Sequence, residues 1–272
     1  MTPTTVHVQG IPIAVRATEG AGHPIVLVHG NSMSSLSYQR QLGGALGRDH
    51  RLVAFDLPGH GASGRASEPD AAYTLPGYAE TLVAVVETLG LHDAIFVGWS
   101  LGGHVVLEAA EALSEAAGFL VFGTPPVAVP PAMEEAFLPS PPFGVAFTAH
   151  PEPELLSAFL DGLVRPEATP PALFREDFER TDPQARAAIA ASVPAGHLRD
   201  EVEVVRRLAQ PLAVLHGAED GYICRAYIEA LEMPTLWRGE IQVVEEAGHS
   251  LHWERPAAFE ALLRAFATHC TS

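Results

Sequence analysis

The chain has 272 residues, 47% hydrophobic and 18% charged, which is typical of one globular catalytic domain. Its 33 acidic and 16 basic residues give a net charge of −17, which would repel a phosphate backbone and argues against nucleic acid or an anionic membrane as a partner. No apolar run approaches the roughly 18 residues that span a bilayer, and the N-terminus has no basic region followed by an apolar segment, so we expect a cytoplasmic protein.

Short apolar runs alternate with longer helical patterns along most of the chain. This alternation predicts an α/β fold with a mostly parallel sheet flanked by helices. The predicted strands are Val6–Val15, Ile25–Val28, Leu52–Phe55, Ala94–Val97, Gly118–Phe122, Leu212–Leu215 and Ile241–Val244. The predicted helices cover residues 36–47, 77–90, 100–113, 222–232 and 256–268.

The alternation stops between Thr124 and Pro183, a stretch that holds 13 of the 23 prolines and no clear strand. Because the strand pattern resumes at Leu212, we predict that residues 124–205 form a helical lid inserted between two core segments, 1–123 and 206–272. A linker to a separate domain is the alternative. An inserted lid would cover the carboxyl ends of the strands, where open α/β sheets bind their ligands.

The strongest local signal is a G-x-S-x-G pattern centred on Ser100, directly after one predicted strand and directly before a predicted helix. A serine at such a sharp turn needs small residues on both sides, because strand and helix approach closely there, and Gly98 and Gly102 supply them. The turn would expose the Ser100 hydroxyl and place the Leu101 amide at a helix N-terminus. Ser100 is therefore the predicted nucleophile.

A serine hydroxyl needs a base to take its proton and a carboxylate to orient that base. With this nucleophile motif the acid is expected after a late strand and the histidine after the last one. His249 follows the last predicted strand, and Glu219 and Asp220 both follow the preceding one. The spacing of Asp220 from Gly217 favours Asp220 as the acid, which would leave Glu219 solvated or in a supporting position.

Acyl transfer also needs two donors for the developing oxyanion. The sequence His29-Gly30-Asn31 directly follows an early strand, so we predict that the amides of Asn31 and Leu101 form the oxyanion hole. A simple turn at the end of the strand is the alternative for Asn31. The sequence has neither clustered metal ligands nor a glycine-rich phosphate loop, so we expect no metal and no cofactor.

Together these motifs resemble the α/β-hydrolase superfamily along the whole chain: HGN at 29–31, DLPGHGAS at 56–63, GWSLGG at 98–103, the acid loop at 217–220 and AGH at 247–249. The serine at position 100 favours ester hydrolysis over the chemistry of those relatives that attack with an aspartate. HGNSMSS at 29–35, GWSLGGH at 98–104 and GTPPVA at 123–128 look like the metal-independent N-acyl-homoserine lactonases of this fold.

This narrower resemblance implies hydrolysis of the lactone ring of quorum-sensing signals through an acyl-enzyme. Asp220 stands where the family has a glutamate, and Phe159 stands near the position of a lid tyrosine that contacts substrate. Gly30, Trp99 and Phe159 are the predicted substrate contacts. The lid phenylalanines that could bury an acyl chain, or simply pack on the core, are Phe137, Phe143, Phe147 and Phe159.

Two other functions remain open from the sequence. A carboxylesterase or another ester or amide hydrolase would share the same catalytic residues, because the lid decides the substrate. A non-catalytic receptor could keep the fold and only bind a small molecule, although the complete set of Ser100, Asp220 and His249 argues against it. The expected partner is in each case a small molecule, above all an ester or lactone, and the sequence predicts no oligomeric state.

Overall fold

The computed structural model describes residues 2–272. Eight strands form one sheet in the order β1-β2-β4-β3-β5-β6-β7-β8. The strands are β1 Thr4–Val8, β2 Ile11–Ala17, β3 Gly22–Val28, β4 His50–Phe55, β5 Ile95–Trp99, β6 Gly118–Phe122, β7 Leu212–Gly217 and β8 Gln242–Val244. Strands β1 and β2 are antiparallel to their neighbours and the other strands pair in parallel. This is the mostly parallel sheet of an α/β fold that the alternating pattern predicts.

From β3 onward, helices connect consecutive strands, and two more follow the last strand. They are α1 Gln39–Gly43, α2 Ala45–Asp49, α3 Pro69–Ala72, α4 Leu75–Leu89, α5 Leu101–Ala109, α6 Met133–Ala136, α7 Pro153–Gly162, α8 Ala172–Arg180, α9 Pro183–Ser192, α10 Glu201–Arg207, α11 Arg225–Glu229, α12 Leu251–Glu254 and α13 Pro256–Cys270. Short 3-10 helices cover Ser35–Tyr38, Pro141–Phe147 and Trp237–Gly239. Within residues 2–272, none of the helices has the length and apolar character needed to cross a bilayer.

The central strands are buried on both faces, which explains their continuous apolar sequences. Every residue of β5 and β6 is buried, including Phe96 and Phe119, whose rings stack with centroids 6.0 Å apart. The strands β3, β5, β7 and β8 run parallel in this sheet, so their carboxyl ends open onto one edge. The three predicted catalytic residues and Asn31 follow these four ends.

Four predicted elements differ from the observed ones, among them the helix predicted over 100–113, which ends at Ala109. The predicted strand Val6–Val15 is a hairpin, because Gln9 and Gly10 both take positive φ angles, 53° and 79°, and turn the chain back. The predicted helix 36–47 breaks at Gly44, where a side chain would lie 2.5 Å from the Arg40 carbonyl oxygen. The helix predicted over 222–232 begins only at Arg225.

Residues 124–205, the predicted lid, contain helices α6 to α9 and the start of α10, but no strand. Polar contacts tie this segment to the core loop that follows β3. The Ser34 hydroxyl donates to Oδ2 of Asp177 on α8 at 2.6 Å, and Asn31 Nδ2 donates to the Ala146 carbonyl oxygen at 2.6 Å. On α9, Arg186 Nη1 donates to the Ser32 hydroxyl of that loop at 3.3 Å, and the same guanidinium donates to two carbonyl oxygens within the segment, those of Thr148 and Ala149.

Asp177 on α8 carries a buried carboxyl group. The residue is 1% exposed, and its Oδ1 has no hydrogen-bond partner among the described residues. Burial raises the pKa of Asp177 to about 6, against the lowering effect of the Ser34 hydrogen bond. A folded-state pKa above the unfolded value means that protonation stabilises the fold, so this stability is present below about pH 4 and is lost as pH rises through about 6. One pKa unit corresponds to about 1.4 kcal/mol, so the loss should reach up to roughly 3 kcal/mol.

We therefore expect Asp177→Asn to raise the free energy of unfolding at pH 8 relative to wild type and to have a smaller effect at pH 5. Urea unfolding at both pH values measures the difference. Glu176→Gln, at an exposed position on the same helix, is the matched control and should shift both values alike. A stabilisation by Asp177→Asn that is equal at the two pH values would contradict the assignment.

Candidate active site

Ser100 lies between β5 and α5 in a strained backbone conformation, with φ 53° and ψ −120°. Its amide donates to the Phe122 carbonyl oxygen at 2.9 Å, which fixes the turn to the neighbouring strand β6. A non-glycine residue with positive φ costs of order 1–3 kcal/mol and persists only where the surroundings determine it. The geometry is that of the sharp strand-to-helix turn predicted from the G-x-S-x-G pattern.

The glycines around Ser100 are required by close backbone approach. A Cβ at Gly98 would lie 2.4 Å from the Gly102 carbonyl oxygen, and a Cβ at Gly102 would lie 2.2 Å from the Val28 carbonyl oxygen. A Cβ at Gly103 would lie 2.1 Å from Oγ1 of Thr124, whose hydroxyl donates to the Ser100 carbonyl oxygen. Helix α5 can therefore pack directly against the end of β3.

We expect Gly102→Ala to lower the free energy of unfolding by about 1–3 kcal/mol or more, because the new methyl group meets main-chain atoms that cannot move aside. Urea denaturation measures this loss. Gly43→Ala is the matched control, since a Cβ at Gly43 meets no atom within 4 Å and its φ is ordinary. Equal free energies of unfolding for the two variants would contradict the prediction, because the main chain at the end of β3 would then have moved to admit the methyl group.

His249 and Asp220 form a buried pair at the ends of β8 and β7. His249 Nδ1 lies 2.9 Å from Asp220 Oδ2, and the two side chains are 2% and 1% exposed. Asp220 Oδ1 accepts hydrogen bonds from the amides of Tyr222 at 2.9 Å and Ile223 at 3.3 Å. Because the Tyr222 and Ile223 amides are bound to Asp220, they do not join a helix, and α11 begins at Arg225 instead of at the predicted residue 222.

Burial alone would raise the pKa of Asp220, but the charge and hydrogen bond of His249 and the Tyr222 amide hold that pKa below its usual value. Asp220 therefore stays ionised at neutral pH and can stabilise a positive charge on His249. Glu219 is exposed, and its side chain makes no hydrogen bond among the described residues. Of the two candidate acids, the structure brings only Asp220 to the imidazole.

Ser100 and His249 line the same small cavity at the strand ends. Gly123 makes room for the imidazole, because its φ is +59° and a Cβ there would lie 2.8 Å from His249 Cε1. Trp99 fixes the loop that carries His249, because its Nε1 donates to the His249 carbonyl oxygen at 3.0 Å. The cavity thus presents a hydroxyl and an imidazole to one bound molecule.

The predicted oxyanion donors lie beside Ser100. Leu101 is the first residue of α5, where backbone amides have no partner within the helix, and Asn31 follows the end of β3. Neither amide donates to another group among the described residues. The Asn31 side chain is already engaged with Ala146 and Ser32, which leaves its main-chain amide for a ligand.

The three predicted substrate contacts line the small cavity with Ser100 and His249. A Cβ at Gly30 would lie 3.2–3.3 Å from Trp99 and Ser100 atoms, so the main chain approaches Ser100 closely there. Trp99 is 1% exposed and Phe159 is 3% exposed, so both also belong to the hydrophobic core. Their part in binding a substrate stays a prediction.

A second, larger cavity also borders Ser100 and reaches α6 and α9. Its lining is mostly apolar, which suits a hydrocarbon chain. The lining residues are Asn31, Leu75, Ser100, Leu101, His104, Val127, Met133, Phe137, Phe143, Ala146, Phe147, Ile189, Val193 and Leu198. Three of the four phenylalanines named from the sequence contribute to this wall, and Phe159 contributes to the smaller cavity.

Sequence reasoning missed Tyr222 as a residue of the site. Its main-chain amide donates a hydrogen bond to Asp220, and its hydroxyl donates one to the Phe159 carbonyl oxygen at 2.7 Å. Its ring meets the His249 ring edge-on, with the ring centroids 5.6 Å apart. Burial raises the pKa of Tyr222, so the hydroxyl keeps its proton. Its position two residues after Asp220 was the only available signal, because the contact with Phe159 spans 63 residues.

Comparison with known proteins supplies the family. The model of the alpha/beta hydrolase family matches residues 25–262. Among curated proteins, a putative non-heme chloroperoxidase of Synechocystis is 26% identical over 91% of this chain and 92% of its own length. An esterase of Mycobacterium tuberculosis is also 26% identical, over 96% of this chain and 88% of its own length.

Solved structures include nearer matches. The N-acyl homoserine lactonase AidH, in complex with N-butanoyl homoserine, is 32% identical and superposes with a TM-score of 0.95, covering 100% of this chain and 98% of that one. A mutant of AidH with N-hexanoyl homoserine lactone gives 31% identity and a TM-score of 0.94. An esterase from Rhodococcus is 28% identical with a TM-score of 0.79, over 98% of this chain and 99% of that one.

Proposed function

The chain belongs to the α/β hydrolase family, and on that premise we propose that it is a serine hydrolase that opens the lactone ring of N-acyl-homoserine lactones and so quenches quorum-sensing signals. The observation that carries the proposal is the similarity to the lactonase AidH over the full length of both chains. The pairing of His249 with Asp220 beside Ser100 supports it, as does the apolar cavity next to the nucleophile.

In the proposed reaction His249 Nε2 takes the proton from the Ser100 hydroxyl as its oxygen attacks the lactone carbonyl carbon. The amides of Asn31 and Leu101 donate to the oxyanion of the tetrahedral intermediate. Collapse breaks the ring carbon–oxygen bond, and His249 returns the proton to the departing oxygen, which becomes the free hydroxyl of an acyl-enzyme. A water molecule deprotonated by His249 then releases Ser100 and leaves an N-acyl-homoserine with a free carboxylate.

We propose residues 124–205 as the lid of this site, between core segments 1–123 and 206–272. Val127, Met133, Phe137, Ile189 and Val193 come from this stretch and line the larger cavity with Ser100. An amphipathic acyl chain would bury its carbons against these side chains while its lactone carbonyl stays beside Ser100. The Glu201 end of α10 contacts α5, so the proposed boundary at 205 falls inside a helix that also packs on the core.

The test is proton release when acyl-homoserine lactones of several chain lengths are added to the wild-type protein, since each ring opening yields one carboxylic acid. Aryl esters and peptide amides are measured beside them. We expect rapid release with lactones and kcat/KM above that for aryl esters of the same chain length. Hydrolysis of aryl esters without release from any lactone would reject the lactonase proposal.

A carboxylesterase is the second candidate, because some relatives of this chain are esterases. Esterases of 26% and 28% identity also match nearly the whole chain. They would need the same catalytic residues and the same cavity, so the substrate panel above decides between the two functions.

A further inference from the structure

A second histidine–carboxylate pair lies in the wall of the larger cavity. His104 Nδ1 is 2.9 Å from both carboxylate oxygens of Glu201, which is fully buried at the start of α10. Glu201 Oε2 also accepts the Val127 amide at 2.9 Å. The carboxylate is therefore fixed from two sides, and it fixes the imidazole in turn.

The other ring nitrogen of His104 is free to meet a ligand. Nε2 makes no hydrogen bond to the described residues, and the side chain keeps 14% of its surface exposed in the cavity wall. His104 follows Ser100 by four residues at the start of α5, and its amide donates to the Ser100 carbonyl oxygen. Because this hydrogen bond joins the main chains of the two residues and both line the larger cavity, the His104 imidazole lies in the part of the cavity wall that adjoins Ser100.

The polar side chains in the wall of this cavity are those of Asn31, Ser100 and His104. The Asn31 amide is engaged with Ala146 and Ser100 is the proposed nucleophile, so His104 is left to pair with a polar group of the acyl chain. A wholly unsubstituted hydrocarbon chain would cover Nε2 without offering it a hydrogen bond, which costs free energy. A chain with a polar group near its carbonyl end would satisfy Nε2.

The bond to Glu201 decides which polar group fits. When the imidazole is neutral, the Nδ1 proton points at the carboxylate, so Nε2 carries a lone pair and accepts. When the imidazole is protonated, Nε2 donates. A hydroxyl group can pair with Nε2 in both states, whereas a keto oxygen can pair only with the protonated one.

We infer that His104, oriented by Glu201, is a specificity-determining residue that selects acyl chains bearing a hydroxyl near the amide, as in 3-hydroxyacyl-homoserine lactones. This inference rests on the proposed function. It goes further by naming a polar subsite in the acyl pocket and the chemical class of chain that fills it.

Binding to an inactive protein tests the inference without turnover. In a Ser100→Ala background, calorimetry measures Kd for N-hexanoyl- and N-(3-hydroxyhexanoyl)-homoserine lactone, with and without His104→Asn. The asparagine amide can keep the donor to Glu201 at the Nδ1 position but has no group at Nε2. Ile189→Val, which trims the apolar wall of the same cavity, is the matched control.

We expect the 3-hydroxy ligand to bind the Ser100→Ala protein about fivefold more tightly, the factor of one hydrogen bond, and His104→Asn to remove this preference. Ile189→Val should weaken both ligands together and keep their ratio. Equal Kd values before the His104 change, a ratio that survives it, or an equal weakening of both ligands by it would each overturn the inference and leave the pair as an anchor of α10. Turnover of lactones by the wild-type protein is scored separately, so the proposed function can fail on its own.

Discussion

Replacing Ser100 by alanine is expected to lower kcat for any hydrolysed ester or lactone by about 10⁴- to 10⁶-fold, because no acyl-enzyme can form without the hydroxyl. The strained turn at Ser100 should survive the change, because neither the hydrogen bond from the Ser100 amide to the Phe122 carbonyl oxygen nor the surrounding glycines involve the hydroxyl. The melting temperature should therefore stay close to that of the wild type. Proton release from lactones and colour release from aryl esters measure the loss.

Covalent labelling makes the same prediction independent of substrate. A fluorophosphonate should phosphonylate the wild-type protein once, at the Ser100 oxygen, with loss of fluoride, and intact mass should show no adduct in Ser100→Ala. Ser114→Ala, at an exposed position beyond α5, is the control and should label like the wild type. A wild-type protein that neither labels nor hydrolyses would be the binding receptor left open by the sequence, and labelling that survives Ser100→Ala would place the nucleophile elsewhere.

The fold was predictable from the sequence because its central strands are buried on both faces and read as continuous apolar runs. The strands β3 to β8 lie where those runs predict them. The hairpin of β1 and β2 was missed because Val6–Val15 was interpreted as one strand, although the apolar alternation changes phase at the turn, from Val6 and Val8 to Ile11 and Ile13. The break lies at Gly44, where the backbone is extended and an added Cβ would meet the Arg40 carbonyl oxygen, and helical periodicity alone does not reveal it.

The candidate site was predictable where its residues directly follow strands. Ser100, Asp220, His249 and Asn31 each follow the end of one parallel strand, and a parallel sheet brings such ends to one edge. Contacts between distant segments were not predictable. The pair of His104 and Glu201 joins residues 97 positions apart, and neither residue carries a motif that points to the other.

Asp220→Asn is expected to lower kcat by about 10⁴-fold, because an asparagine amide would favour the wrong tautomer of His249 and could not stabilise its positive charge. The side chain keeps its size, and Oδ1 can still accept the amides of Tyr222 and Ile223, so the loop should hold its shape. Steady-state hydrolysis of an aryl ester measures the effect, with circular dichroism and the melting temperature to show that the variant is folded.

Glu219→Gln is the matched control, since it removes the neighbouring carboxylate from an exposed position and should change kcat by no more than about twofold. The pair of variants thus separates a carboxylate bonded to the imidazole from one that only adds negative charge nearby. If Glu219→Gln lost as much activity as Asp220→Asn, the acid loop would have to rearrange during turnover to bring Glu219 to His249. His249 and Asp220 are both buried and hydrogen-bonded at 2.9 Å, so we expect Asp220→Asn to lose activity and Glu219→Gln to keep it.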